Sequence, residues 1–268
     1  SKLLSLLSAY PAIRHLFCKS DTRFRKADAV NMGVQESTRA YVCMYDTDIL
    51  IHPDAIADSL QAMTRWKWRI VVPFNKIFLD VKGELRERIA SSLDLTGLCR
   101  ITKLDEVSNV PNVSARFLNG GVFIAHRDVF LAVGGVNKKM VSYGWEDTEL
   151  FKRFTMLGFY VLHIEKFNLI HLDHRRGDDS QPNEYFDINK KEFLKVRSMT
   201  KAKLRNYVES ELSISPLVDK NKLKDLLRNQ WTANVLGLLR IRVFLNILRI
   251  NICGIGFVNF ISERLKNR

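Results

Sequence analysis

The chain has 268 residues, 46% of them hydrophobic and 26% charged, which is enough for one large domain or a domain with an appendage and excludes a disordered polymer. Its formal net charge is +13, which suits an anionic partner such as nucleic acid, anionic lipid or a phosphorylated substrate. The excess is uneven, because residues 200–268 hold 13 Lys or Arg against 5 Asp or Glu.

In chain order, Leu3–Ala9 reads as the end of a helix and Ile13–Cys18 as a short strand. Lys26–Val34 predicts a helix that packs Ala27, Val30 and Val34. Ala40–Tyr45 is a hydrophobic run expected to form a buried strand. His52-Pro53-Asp54 starts a helix through Met63, with Ala55, Ile56, Leu60 and Met63 inward, since proline suits a first turn. Arg69–Phe74 is a further strand, and 75–115 reads as an irregular insertion or acceptor-side region. Phe123–Ala125 predicts a strand and Asp128–Val133 a short helix, with Gly134-Gly135 turning the chain. Glu146–Leu157 has helical apolar spacing through Leu150, Phe151, Phe154 and Leu157, stopped by Gly158. Phe159–Ile164 returns to a strand. This alternation predicts an α/β sheet packed by helices.

A boundary is expected between Met199 and Pro216, dividing a domain at 1–205 from a basic helical extension at 206–268. In the extension Leu223, Leu226 and Leu227 form one apolar face, and Trp231–Ile250 mixes large apolar residues with Arg240, Arg242 and Arg249. It can lie on an anionic membrane surface, or pack on the domain or a second subunit. No run reaches the roughly 18 apolar residues of a spanning helix, and Ser1–Leu16 lacks a secretory-leader pattern. Cys18, Cys43, Cys99 and Cys253 suggest neither a disulfide framework nor a zinc cluster. Cys18 and Cys43 are expected in the core, and the chain suits a reducing compartment.

Three segments carry chemistry. Asp46-Thr47-Asp48 puts carboxylates at a strand end, the edge of an open α/β sheet where ligands bind; such acids suit a hard divalent cation facing a diphosphate. Asn119-Gly120-Gly121 permits close backbone approach to a ligand. In Gly144–Leu150, Glu146, Asp147 and Glu149 crowd a helix start, where the helix terminus stabilises acids. A carboxylate there can take a proton from a sugar hydroxyl, and Trp145 can stack on a sugar or anchor the helix. In His171-Leu172-Asp173-His174-Arg175-Arg176, one histidine can complete a metal shell begun by Asp48, and the arginines can bind phosphate.

The order of these motifs, with Phe24–Gly33 ahead of them, closely resembles family 2 and related glycosyltransferases of the GT-A fold, over Arg25 to about Phe186. Similarity to β-1,4-galactosyltransferases and bacterial chondroitin-type polymerases is considerable. The resemblance implies a GT-A-like mixed sheet flanked by helices and an inverting transfer from a UDP-sugar to a polysaccharide or glycolipid hydroxyl. It implies that Asp46 holds the nucleotide sugar and Asp48 contacts Mn2+, with Mg2+ a second choice. His171 or His174 adds a ligand, His174 being the better match. Asp147 matches the base and Glu146 positions the acceptor. Gly121 lies near the donor sugar and Trp145 near the acceptor, with Asn119, Gly120 and Arg175 also at the substrates. Such enzymes begin with a strand that binds the nucleotide base, and this chain is expected to start after it. The basic extension would bring a cytoplasmic protein to the inner face of a membrane. Two other classes compete: a non-catalytic carbohydrate-binding or assembly module of this fold, and a nucleic-acid binder. The latter lacks an aromatic-basic RNA motif or zinc finger.

Overall fold

The computed structural model describes residues 10, 13–19, 23–95, 97–99, 101, 104–107, 110–117, 120–177, 179, 181–214, 219 and 221–230. The expected helix at Leu3–Ala9, Asn119 and the segment Trp231–Arg268 lie outside these residues.

Two four-stranded mixed sheets organise the described residues. In the first the order is β1 (Tyr41–Tyr45), β6 (Val122–His126), β3 (Ile70–Val72) and β7 (Val161–His163). In the second it is β2 (Ile49–Leu50), β8 (Leu169–Leu172), β4 (Ile77–Val81) and β5 (Val113–Phe117). The inner strands β3, β6 and β4 are almost continuously apolar and buried, as strands covered on both faces must be. The main core gathers Phe74, Phe130, Phe154, Phe159 and Phe167, each essentially inaccessible.

Helices cover these sheets. Helix α1 (Lys26–Glu36) buries Ala27 and Val34, as expected. Helix α2 (Pro53–Arg65) begins at a His52 cap, whose Nδ1 accepts from Asp54 N at 3.2 Å. It faces inward through Ala55, Ser59, Ala62 and Met63. Leu60 is 39% exposed instead, because the buried stripe runs along the small residues beside it. Helix α3 (Gly83–Ser92) buries only Ile89, α4 (Arg127–Ala132) follows β6 directly, and α5 (Glu146–Leu157) ends at Gly158 as expected. Helix α6 (Glu184–Arg197) starts at an Asn183 cap and packs on α5, and α7 (Lys201–Tyr207) starts at a Thr200 cap. A π-helical turn, Val208–Leu212, follows.

Three expectations need correction. Residues 13–18 form no strand. Among the described residues β1 is an edge strand with only Val42 buried, and Cys43 is exposed rather than in the core. Residues 75–115 are substantially regular and contain β4, α3, a 3-10 turn at Leu104–Val107 and the start of β5. Strand β4 pairs in parallel with β8 and antiparallel with β5, which makes it an inner strand of the second sheet and not an insertion. Helix 221–230 packs on the domain: Leu226 joins the main core, with Leu223 and Leu227 against it. Lys222 pairs with Asp128 at 2.6 Å. Among the described residues no helix is long and apolar enough to cross a membrane.

Candidate active site

The Asp46-Thr47-Asp48 turn leaves β1 in the first sheet and enters β2 in the second. Its shape is held by Asp46 N donating to Gly121 O at 2.9 Å and Ile49 N donating to Asp46 O at 3.2 Å. Leu172 N donates to Asp48 O at 2.9 Å, so the turn is also clipped to β8. A cleft of about 630 Å³ opens along this seam. Asp46, Asp48, Gly120 and Gly121 line it, as do Trp145, Glu146, Asp147, His171 and His174. Arg175 is exposed and does not; Arg176 lines the cleft in its place.

At one end three possible ligands converge. Asp48 Oδ2 lies 2.8 Å from His174 Nε2 and 3.3 Å from His171 Nε2. One donor atom from each of the three residues falls within 4.8 Å of the others. His171 lies within β8, buried at 4% exposure, with Ile49 and Asp80 as its cross-strand partners. The other nitrogen of each ring is also engaged: His171 Nδ1 is 2.8 Å from Asp80 Oδ1, and His174 Nδ1 is 3.0 Å from the Arg175 carbonyl. Both imidazoles thus present Nε2 to one carboxylate. Two nitrogens and a carboxylate oxygen fit a first-row divalent cation such as Mn2+ better than Mg2+, which favours all-oxygen shells. Hydrogen bonding to His171 outweighs burial and holds the Asp48 carboxyl well below the usual range. Burial opposes a charged His171, yet Asp48 and Asp80 together push it up to about 9.

At the other end α5 delivers carboxylates. Its cap, Trp145, is left-handed at φ 72°, and Glu149 N donates to Trp145 O at 2.8 Å. Lys26 Nζ, at the start of α1, lies 3.4 Å from Asp46, 3.6 Å from Asp147 and 3.9 Å from Glu146. Burial opposes this ammonium, but the carboxylates, Asp147 foremost, raise its pKa well above the ordinary lysine value. Burial, reinforced by the charge of Asp147, pushes Glu146 up to about 7. Its Oε2 is buried without a hydrogen-bond partner among the described residues. A β-carbon on Gly120 would overlap the Asp147 carboxylate, so this glycine makes room for a side chain. Gly144, at φ 102°, approaches the Phe186 ring so closely that a β-carbon would overlap it. Trp145 stacks on Phe193 with centroids 5.1 Å apart and also lines the cleft, so it is both anchor and wall.

Glu149 corrects the expectation of three functional acids here. It is fully buried and pairs with the equally buried Arg153, Nε to Oε1 and Nη2 to Oε2 both at 2.7 Å. Arg153 also donates to the carbonyls of Val133 and Gly135, which makes this a structural brace of α5. Sequence reasoning missed Lys26, Asp80, Arg116 and Asp179 as residues of the site. Asp80 alone carried a signal: an acid inside an otherwise apolar run, Ile77–Val81.

A profile of the family described as Glycosyltransferase like family 2 matches residues 1–176. No curated protein matches the chain. Among solved structures, GalNAc-T7 with UDP, GalNAc and Mn2+ is similar at TM-score 0.50 and 14% identity, over 85% of this chain and 45% of that one. The catalytic domain of Drosophila β1,4-galactosyltransferase 7 with xylobiose gives 0.42 and 17%, over 70% of each chain. Mannosyltransferase PcManGT from Pyrobaculum calidifontis, with GDP-Man and Mn2+, gives 0.43 and 14%, over 91% of this chain and 66% of that one. The chain therefore spans less than half the length of the GalNAc-T7 structure. At these identities the likeness bears on fold, and the two mixed sheets flanked by helices are GT-A-like. With the profile covering well over half of the residues, the chain belongs to the glycosyltransferase-like family 2.

Proposed function

We propose that the chain transfers a hexose or N-acetylhexosamine from a UDP-sugar to a glycan or glycolipid hydroxyl, with inversion and with Mn2+ or, less suitably, Mg2+. The observation that carries this reading is the division of one cleft between the Asp48, His171 and His174 cluster and the Asp147 and Glu146 pair. The first cluster would hold the cation, which when bound neutralises the leaving diphosphate. Asp46, beside it, would face the donor.

Asp147 would take the proton of the attacking hydroxyl, and Gly120 leaves space for its carboxylate to reach into the cleft. Glu146, with a pKa of about 7, keeps part of its population protonated near neutrality and can donate a hydrogen bond to the acceptor. Lys26 would keep the crowded carboxylates in register before substrates enter. Trp145 would form the acceptor wall. The basic C-terminal end would draw the protein to an anionic membrane carrying the acceptor.

The test is calorimetric titration of UDP with and without Mn2+, followed by a UDP-sugar screen with Asp147→Asn. Metal-dependent UDP binding, and transfer reduced about 10²–10⁴-fold in the variant, are expected. Normal transfer by the variant would remove the base role from Asp147. Glycan binding without UDP binding would leave a carbohydrate-binding module instead.

A further inference from the structure

Asp80 is an acid within a buried apolar strand. Its neighbours Leu79 and Val81 are inaccessible, and its own side chain is only 13% exposed. Burying a carboxylate is unfavourable unless specific partners compensate. Two partners are present. The parallel pairing of β4 with β8 sets Asp80 opposite His171, and their side chains meet at 2.8 Å. The contact is off the line of a straight hydrogen bond, so it is chiefly electrostatic. On the other side Arg116 of β5 donates Nη2 to Asp80 Oδ1 at 3.1 Å, with Nε 3.0 Å from Oδ2. The Arg116 guanidinium also lies 4.4 Å over the Phe78 ring.

We propose that Asp80 is a positioning residue: it orients His171 towards the cation site, and Arg116 braces Asp80 in turn. The inference rests on the reading of Asp48, His171 and His174 as metal ligands. An imidazole has one nitrogen for a cation and one for a partner behind it. Asp80 occupies Nδ1, which leaves Nε2 to face Asp48. An anionic partner behind a ligating histidine favours the ring orientation that turns the other nitrogen to the cation. His174 has a neutral carbonyl in that place and is exposed. The two histidines are therefore unequal, His171 being buried and backed by an acid and His174 exposed and backed by a carbonyl. The row Asp48, His171, Asp80, Arg116 crosses the whole second sheet, from the turn before β2 to β5.

The competing role for Asp80 is simply to neutralise Arg116. Mn2+ alone is titrated into the full chain, with free Mn2+ followed by electron paramagnetic resonance and folding by thermal melting. The chains compared are the parent, Asp80→Asn, His171→Ala and the double variant. Asp80→Asn should weaken Mn2+ binding about 10–100-fold in a folded protein, and should add little once His171 is absent. If Asp80→Asn fails to fold, Arg116→Met carries the same cycle, with weaker binding that again depends on His171. Parent-like Mn2+ affinity in a folded variant overturns the inference. So does a loss of equal factor with and without His171, the signature of a merely structural role. A parent chain that takes up no Mn2+ overturns the underlying metal reading, a different result from a parent that binds and a variant that binds equally well.

Discussion

Glu146 shows how the site sets the state of one residue. Its carboxyl is pushed from an ordinary 4.5 to about 7, by burial first and then by Asp147. The folded state therefore holds this proton more tightly than the unfolded state does. The associated stability is fully present below pH 4.5 and is lost as pH rises through 7, an amount of about 3 kcal/mol. Glu146→Gln removes the titration. Denaturant unfolding should find parent and variant converging in acid and the variant the more stable above pH 7. A difference that stays constant across that range would show that Glu146 ionises normally. Lys26 opposes the shift without cancelling it, because its ammonium is shared among three carboxylates. Sequence reading could place Glu146 and Asp147 at a helix start. It could not place Lys26 beside them, because that meeting depends on how α1 packs and not on any spacing along the chain.

At the scale of elements, Glu149 lies two residues past Asp147, roughly 200° further round the helix. Glu146 and Asp147 face the cleft, whereas Glu149 points into the core and meets Arg153 one turn later. Removing one partner of a fully buried ion pair leaves an uncompensated charge. Glu149→Gln should therefore lower unfolding free energy by about 3–5 kcal/mol, read from chemical denaturation. Unfolding at the parent midpoint would show that the pair contributes nothing. This acid was legible in the sequence, but its role was not: three acids in one turn read as one functional group. The α5 boundaries followed directly from Leu150, Phe154 and Gly158, because a strongly periodic helix with a glycine stop leaves little choice. Strand β4 escaped notice for the opposite reason. Five residues carry little periodic signal, and Asp80 interrupts an otherwise apolar run at the very position where it meets His171. β1 was placed correctly along the chain, yet its exposure follows from sheet order, which a hydrophobic run cannot specify.

At the scale of the whole molecule, the site lies on the seam between two sheets. The Asp46–Asp48 turn crosses from one to the other, α5 supplies acids from one side, and β8 with the segment after it supplies His171 and His174 from the other. The same scale governs the charge. Residues 200–268 hold 13 of the 42 Lys and Arg residues and only 5 of the 29 Asp and Glu. The first apolar part of that extension is already engaged, since Leu226 is buried in the main core and Arg69 Nε donates to its carbonyl at 3.4 Å. Those leucines cannot serve a bilayer while they pack on the domain. Any attraction of helix 221–230 to a membrane must then be electrostatic, through its exposed basic side chains. Electrostatic binding contributes about 1 kcal/mol per Lys or Arg near an anionic surface and fades within a Debye length. The full chain should therefore sediment with phosphatidylserine-containing vesicles at low salt and be released at about 0.5 M salt, a concentration that compresses the Debye length to a few ångströms. Pure phosphatidylcholine vesicles should retain little of it. Equal retention by both vesicles, unchanged by salt, would mean that apolar insertion by residues beyond 230 governs attachment. No retention by either would assign the positive charge to the anionic substrate and not to the membrane.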